Sequence, residues 1–305
     1  MYSLLFSTKN NSFIHIKCPN FVNRSHILQK GIAFLAQTEY NISMFRFVSN
    51  GINIAHKLSN ASDPGNDFGR HMHNFYEILF IVKGSVKYNV ESEKRKLNAR
   101  ELVLVVPGRY HFAEVSDNAP NERYTLKIPE YIVPAHVLNR LRDKEAFFGV
   151  QKTYSDFFFN LDTYINKYYE ADLATIFQCE IVKLLIMLCN EEACSGEQSD
   201  IIAQVVAYID KNICMPLSLD TISQEFSFSK SYISKQFKKT MKIPIMHYVR
   251  YKKIIHAQEL ILNGEKKSYV CKKLGFDNYS TFYRNYLSIL GEEASHLLDP
   301  PESET

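Results

Sequence analysis

The sequence lacks any apolar run long enough to span a bilayer, since the longest, at 181–189, is short and is interrupted by Lys183. Its first residues do not combine a basic start with an apolar stretch, so we expect no signal peptide. The six cysteines form no CxxC pair and no regular framework, which is typical of reduced thiols in the cytosol. We therefore expect a cytoplasmic protein without a membrane partner.

The chain also has little net charge, and its positive excess is confined to one end. Residues 1–200 carry 22 lysines and arginines against 22 acidic residues, whereas residues 201–298 carry 14 against 8. A basic segment of this kind is suited to bind phosphate groups. With 305 residues, 46% of them hydrophobic, the chain is long enough for two domains with buried cores.

Residues 216–241 have the pattern of two short helices joined by a tight turn. Ser218 and Ser229 are suited to cap these helices. Each helix has two apolar residues four positions apart on one face, namely Ile222 and Phe226, then Ile233 and Phe237. The other face of the second helix carries hydroxyls and lysines, as a helix in the major groove of DNA requires. A solvated amphipathic helix would show the same pattern.

A second copy of this layout, at 268–286, favours the DNA-binding interpretation. Val270 and Leu274 follow Ile222 and Phe226 by 48 residues. Between the two copies, Pro244 begins and Asn263-Gly264 ends a predicted helix of about 28 Å, at 1.5 Å per residue. Such a rod can hold two recognition helices in successive major-groove faces of one duplex.

The doubled unit resembles the DNA-binding domain of the AraC family of bacterial transcription regulators. The segments that carry the resemblance are PLSLDTIS, FSKSYISKQFKK, YKKIIHAQELIL and LGFDNYSTFYRNY. The resemblance implies phosphate contacts from Lys238 and Lys239. It implies base contacts from Ser231, Ser234, Lys235, Tyr279, Ser280, Tyr283 and Arg284. Arg284 is the strongest candidate, because a guanidinium can form two hydrogen bonds with guanine.

Two places depart from the family's pattern. Leu287 and Ser288 replace a basic pair, and Glu292 and Glu293 follow them, so we expect the second unit to bind DNA less tightly. Lys242 replaces a helix-ending glycine, and a left-handed conformation there would cost about 1 kcal/mol.

Upstream, short β-branched or aromatic runs separated by turn residues are typical of a small antiparallel barrel. The predicted strands are 75–82, 86–90, 101–106 and 124–128. The segment GNDFGRHMHNFYEILFIVKG resembles the first motif of the cupin-like sensor domain found in AraC-type regulators, with Gly65, His71, His73, Glu77 and Gly84 at its spacing. Of the second motif only Pro107 and His111 fit, and Arg100 replaces a turn glycine.

His71, His73 and Glu77 share parity, so on one strand they would point to the same side. With His111 they could bind Fe, Mn, Ni or Zn through three nitrogens and one carboxylate. They could also line a pocket for a small organic ligand without any metal. The sequence favours the ligand pocket, and we expect no metal and no cofactor.

Helices are predicted at 147–169 and 173–190, and the second has a wide apolar face. That face packs either on its own barrel or on a partner subunit, and the resemblance implies a homodimer. The predicted domains are a segment of unclear role (1–65), a cupin-like sensor barrel (66–130), a helical dimerisation or packing segment (131–192), a linker (193–200) and an AraC-type DNA-binding domain (201–298).

The predicted fold is therefore α+β, with an N-terminal cupin-like antiparallel β-barrel and a C-terminal all-α domain of two helix-turn-helix units. The predicted function is sequence-specific binding of double-stranded DNA by a transcription regulator, modulated by a small ligand or a partner, and not enzymatic. Two alternatives stay open: a metal-dependent cupin enzyme with a DNA-binding tail, and a module whose helix-turn-helix units bind protein.

Overall fold

The computed structural model describes residues 2–7, 13–18, 41–59, 69–114, 121–142, 144, 146–194, 196–291 and 297–298, so Gly65, Glu292 and Glu293 lie outside the described residues. Its strands are β1 (Tyr2–Ser7), β2 (Phe13–Cys18), β3 (Asn41–Ser49), β4 (Ile52–Ser59), β5 (Tyr76–Lys83), β6 (Val86–Val90), β7 (Glu93–Leu97), β8 (Leu102–Val105), β9 (His111–Glu114), β10 (Asn121–Ile128), β11 (Phe147–Phe148) and β12 (Glu197–Gln198).

These strands form two antiparallel sheets. The larger has the order β11-β8-β5-β10-β4-β3-β1-β2, and the smaller has the order β12-β7-β6-β9. The α+β class and the four predicted strands are confirmed, but the two sheets do not close into one barrel in the described part of the chain. Four strands before residue 66, β1 to β4, belong to the larger sheet, and β12 in the predicted linker pairs with β7.

The helices of the structure follow the strands and then form a separate group. They are α1 (Ala135–Leu141), α2 (Lys152–Lys167), α3 (Glu170–Asn190), α4 (Asp200–Lys211), α5 (Leu219–Glu225), α6 (Lys230–Met241), α7 (Ile245–Leu262), α8 (Lys267–Lys273) and α9 (Tyr279–Leu290), with a 3-10 turn at Glu130–Ile132. We call the sheets with α1–α3 the β-rich domain and α4–α9 the helical domain. None of the described helices is long and apolar enough to cross a membrane.

The side chains of β5 show how the β-rich domain is layered. Leu79 and Ile81 pack between the two sheets, whereas Ile78 and Phe80 pack on the opposite face of the larger sheet, against the helices. Both faces of this strand are buried, which explains its nearly continuous apolar sequence. The molecule is therefore stacked as helices, larger sheet and smaller sheet, and the helical domain contacts the outer side of the smaller sheet.

The predicted helix at 147–169 is wrong at its start. Phe147 and Phe148 form β11, which pairs with β8, and α2 begins only at Lys152. Both phenylalanines are almost fully buried, Phe147 between the two sheets and Phe148 against the helices, so the strand buries one large apolar side chain on each face of the larger sheet. Tertiary packing decides the conformation here.

The wide apolar face of α3 packs on its own chain. Leu173, Phe177 and Ile181 join the core between α3 and the larger sheet, and the Phe177 ring lies 4.7 Å from the Phe47 ring, edge to face. Each such buried side chain contributes about 1.5–3 kcal/mol to folding. Of the two interpretations of this face, the structure supports packing within the chain.

Lys242 ends α6 in the left-handed conformation, with φ +58° and ψ 15°. Its side chain is exposed, so the backbone strain is not offset by a buried contact. We expect Lys242→Gly to raise the free energy of unfolding by about 0.5–1 kcal/mol, because glycine adopts this conformation without strain. Urea denaturation of both chains measures the change; a Lys242→Gly chain less stable than the parent would contradict the interpretation.

His56 predicts a pH dependence of stability. Its Nε2 lies 2.9 Å from Glu122 Oε1 and its Nδ1 lies 3.2 Å from Asp162 Oδ2. Burial lowers the pKa of His56, but hydrogen bonds to the two carboxylates outweigh burial and raise the pKa above its ordinary 6.5. A raised pKa contributes stability below the unfolded-state value, and this contribution is lost as pH rises through the folded value.

The wild-type chain should therefore have a larger free energy of unfolding than the His56→Gln chain. The difference should be largest below about pH 6.5 and should shrink as the pH rises. Urea denaturation at several pH values measures it. His247→Gln, which changes an exposed histidine, is the control. A difference that grows with pH would refute the role assigned to the charged imidazole.

Candidate functional sites

The first helix-turn-helix unit is built by two caps and a shared core. Ser218 accepts a hydrogen bond from the Thr221 backbone N–H, and the Ser218 N–H donates to the Thr221 hydroxyl, which together form a capping box. Ser229 accepts from the Tyr232 N–H at 3.2 Å and caps α6. Ile233 and Phe237 are fully buried, so the opposite face of α6 points outwards. Both predicted caps are confirmed.

Four of the five residues predicted to contact DNA from α6 are exposed, and Ser234 is half-buried; the exposed ones are Ser231, Lys235, Lys238 and Lys239. The first residue of α6, Lys230, is also exposed, and its amine pairs with Asp220 of α5. The structure therefore presents a polar, basic surface along α6.

The second unit repeats this arrangement. Asn278 caps α9 by accepting from the Thr281 N–H at 2.7 Å. Arg284 is exposed, whereas Tyr279 and Tyr283 are half-buried and pack against the core of this unit, where Tyr279 lies beside Phe282. Part of each tyrosine side chain is therefore buried in the core and part is exposed to solvent. Arg284 is the most accessible of the predicted base-reading side chains on α9.

The turns of the two units have the same backbone geometry. Ser227 in the first unit has φ +55°, and Gly275, 48 residues on, has φ +69°. A left-handed residue at this position turns the chain between the two helices of each unit, and glycine meets that demand without strain. The repeat seen in the sequence is thus a repeat of backbone conformation.

Helix α7 connects the two units and belongs to both cores. Tyr248 and Val249 pack in the core of the first unit, whereas Ile254 and Ala257 pack in the core of the second. From α7, the buried amine of Lys253 donates to the carbonyl of Leu274 at 2.6 Å and of Met215 at 3.3 Å. With 18 residues, α7 is about 27 Å long.

A second candidate site lies at one end of the space between the sheets, in a group that we call the His–Glu cluster: His71, His73, Glu77 and His111. One ligand atom from each lies within 4.8 Å of the others. The prediction that the first three share a strand is wrong, because a bend at 74–75 separates the two histidines from β5. Instead His71 and His111 exchange two backbone hydrogen bonds, which sets them opposite each other.

The hydrogen bonds of the cluster fix the tautomers of its histidines. In each imidazole Nδ1 lies 2.7–2.9 Å from a backbone carbonyl, of Gly69, Phe75 or Arg109. A carbonyl only accepts, so each Nδ1 carries the proton and each Nε2 has a lone pair. His73 Nε2 and His111 Nε2 are buried and have no partner with hydrogen-bond geometry among the described residues.

The protonation of the cluster follows from its burial. Burial lowers the pKa of His111 to about 3 and also lowers that of His73, so both imidazoles are neutral near neutral pH. Burial raises the pKa of Glu77, but the close approach of His73, at 3.4 Å, and attraction from His111 outweigh burial and hold the pKa at about 2. The cluster therefore places a buried carboxylate beside imidazole lone pairs.

Segments 71–73 and 110–112, which carry the cluster histidines, contact the helical domain through their opposite face. Sequence reasoning missed this contact. Met72, Tyr110 and Phe112 join the core formed by α4, α6 and α7. The Tyr110 ring lies 6.1 Å from Tyr248 and 6.4 Å from Tyr251, both on α7. Because side chains alternate along an extended segment, the residues beside the cluster histidines point into this contact.

A buried ion pair reinforces the contact between the domains. Lys252 on α7 lies 3.0 Å from Glu91, in the turn between β6 and β7, and donates to the carbonyl of Gly108 at 2.8 Å. Lys252 also pairs with Asp210 on α4 at 2.9 Å, and the Tyr248 hydroxyl donates to Glu91 at 2.6 Å. Sequence reasoning could not find these partners because Glu91 precedes Tyr248 by 157 residues.

Comparison with known proteins identifies both domains. Residues 53–153 match the model of the AraC-like ligand binding domain, and residues 222–299 match that of a helix-turn-helix domain. The transcriptional activator AarP of Providencia stuartii is 30% identical over 95 residues, which cover 31% of this chain and 70% of AarP. The chain belongs to the AraC family of transcription regulators.

Other similarities extend over more of the chain. The uncharacterized HTH-type transcriptional regulator YdiP of Escherichia coli is 22% identical over 265 residues, covering 82% of this chain and 88% of YdiP. The crystal structure of ToxT from Vibrio cholerae is 13% identical, with a TM-score of 0.33, and covers 79% of this chain and 94% of ToxT. The structure of the AraC-like transcriptional activator CuxR has a TM-score of 0.38 at 10% identity, covering 73% and 83%. The two matched domain models identify the chain as a DNA-binding transcription regulator with an AraC-like ligand-binding domain.

Proposed function

We propose that this AraC-family regulator reads its DNA site with both helix-turn-helix units. The observation that carries the proposal is the exposed polar face of α6 and its counterpart on α9, held by one helix that belongs to both cores. Lys238 and Lys239 contact phosphates, and Arg284 reads a guanine. The other base-reading positions in this proposal are Ser231, Ser234, Lys235, Tyr279, Ser280 and Tyr283.

We further propose that a small molecule or a partner bound at the β-rich domain modulates DNA binding. The contact through Lys252 and Glu91 supports this, since a change in the smaller sheet reaches α7 directly. Assembly into a homodimer, a cytoplasmic location and the absence of catalysis stay predictions, as do the domain borders at 66, 131, 193 and 201.

Selection of binding sites from a random DNA pool tests the DNA-binding proposal. The full chain should enrich one sequence, and binding to it should be salt-sensitive because phosphate contacts release counterions. The enriched site should bind more tightly than a shuffled duplex of the same composition. Equal binding to both would show that the chain binds DNA without reading sequence and would refute the proposal.

A further inference from the structure

Two aromatic side chains are exposed together where α6 begins, and we call them the aromatic patch. Phe228 directly precedes the capping Ser229, and Tyr232 lies in the first turn of the helix. Each is 41% exposed, and their rings stack with centroids 4.8 Å apart and planes 26° apart. Single exposed apolar residues are common on protein surfaces, whereas two large rings that form one patch indicate a contact with another molecule.

The helix-turn-helix architecture does not require this exposure. In the second unit, Phe276 holds the position of Phe228, 48 residues on. The backbone N–H of Phe228 donates to the Ser223 carbonyl at 3.1 Å. That of Phe276 donates to the Cys271 carbonyl, also 48 residues on, at 3.1 Å. Nevertheless the Phe276 ring is half-buried and packs on Phe282, with centroids 5.2 Å apart. The same backbone therefore buries the ring in one unit and exposes it in the other.

The aromatic patch lies on the outward face of α6. Lys235 and Lys239 follow Tyr232 by three and seven residues, so the three side chains share one face of the helix. Ile233 and Phe237 are buried on the other side. In a helix-turn-helix unit, the N-terminal residues of the recognition helix contact the base edges. Tyr232 is the third residue of α6, so its ring is placed towards the bases.

The chemistry of the patch selects one kind of base. In the major groove, thymine differs from the other bases by its 5-methyl group, which apolar side chains contact. The lysines on the same face match the negative charge of the DNA backbone, which favours DNA over an apolar protein surface as the molecule that covers the rings.

We propose that Phe228 and Tyr232 read thymine in the DNA site by packing on 5-methyl groups in the major groove. This inference rests on the proposed function and deepens it, because it adds an apolar contact to the hydrogen bonds assigned to Ser231, Ser234 and Lys235. The first unit then reads its bases with two kinds of contact, whereas the second unit keeps the corresponding phenylalanine in its core.

Replacement of thymine by deoxyuridine tests the proposal, because it removes the methyl group and leaves the hydrogen-bonding atoms of the base in place. Fluorescence anisotropy measures the affinity of the full chain for a series of selected duplexes, each with one thymine replaced. At least one replacement should weaken binding by about fourfold, the effect of one buried methyl group. The variant Phe228→Ala/Tyr232→Ala should bind the unmodified duplex less tightly and should not respond to that replacement. Tyr232→Phe keeps the ring and should respond as the parent does.

Tyr269→Ala is the matched control, because it removes a tyrosine that is 51% exposed on α8, outside both recognition helices. It should keep the parent's response to deoxyuridine. A selected site in which no replacement lowers affinity, or a double variant that responds as the parent does, would overturn the proposal. A double variant that binds the unmodified duplex as tightly as the parent would also overturn it and would assign the patch to a protein partner. These results differ from failure of the parent to select any DNA site, which would refute the proposed function and this inference with it.

Discussion

Lys252→Met should lower the free energy of unfolding by about 3 kcal/mol, the largest loss we expect from a single substitution. Lys252 and Glu91 are only 11% and 12% exposed, so removing the amine leaves a buried carboxylate without its cation. Methionine replaces all but the terminal amine of the lysine side chain, so the effect reports the lost charge rather than a large cavity. Urea denaturation followed by circular dichroism measures it.

Arg250→Met is the matched control for this prediction, because it removes a cation from an exposed position of the same helix. Its effect should stay within about 0.5 kcal/mol, as for other surface changes. If Lys252→Met falls within the same limit, the ion pair does not hold the two domains together, and the route from the β-rich domain to α7 loses its main support.

Arg284→Ala should relax sequence preference at one base pair and cost about 1–3 kcal/mol on the selected site. Lys238→Ala should instead weaken binding to selected and shuffled DNA alike, and it should reduce the slope of log affinity against log salt concentration by about one. The reason is that a guanidinium paired with a guanine reads a base, whereas a lysine on a phosphate reads only charge.

Fluorescence anisotropy with both duplexes over a range of salt separates these two effects. Lys87→Ala, which removes an exposed lysine of β6, is the control and should change neither affinity. Should Arg284→Ala lose the same affinity on both duplexes, Arg284 would be a phosphate contact, and base reading on α9 would fall to other side chains.

The parts that sequence predicted well are those that depend on local physics. The caps at Ser218 and Ser229 follow from hydroxyls placed just before apolar periodic segments. The left-handed conformation of Lys242 follows from its position at the end of α6, where the family's pattern has a helix-ending glycine. Each of these needs only neighbours within a few residues, which the sequence displays directly.

The parts that sequence missed depend on distant partners. β7 has the sequence EKRKL, whose charges hide the strand, and only pairing with β6 and β12 makes it one. The convergence of His111 with His71 was expected, but the backbone bridge that sets the two residues opposite each other carries no signal in the sequence. The contact between Glu91 and Lys252 carries no local signal at all.

A hydroxyl-radical footprint on the selected duplex tests the use of both helix-turn-helix units most directly. If α6 and α9 lie in successive turns of the major groove, the full chain should protect two segments about 10 base pairs apart on one face of the DNA. Protection of a single segment, or of none in particular, would contradict the two-unit account.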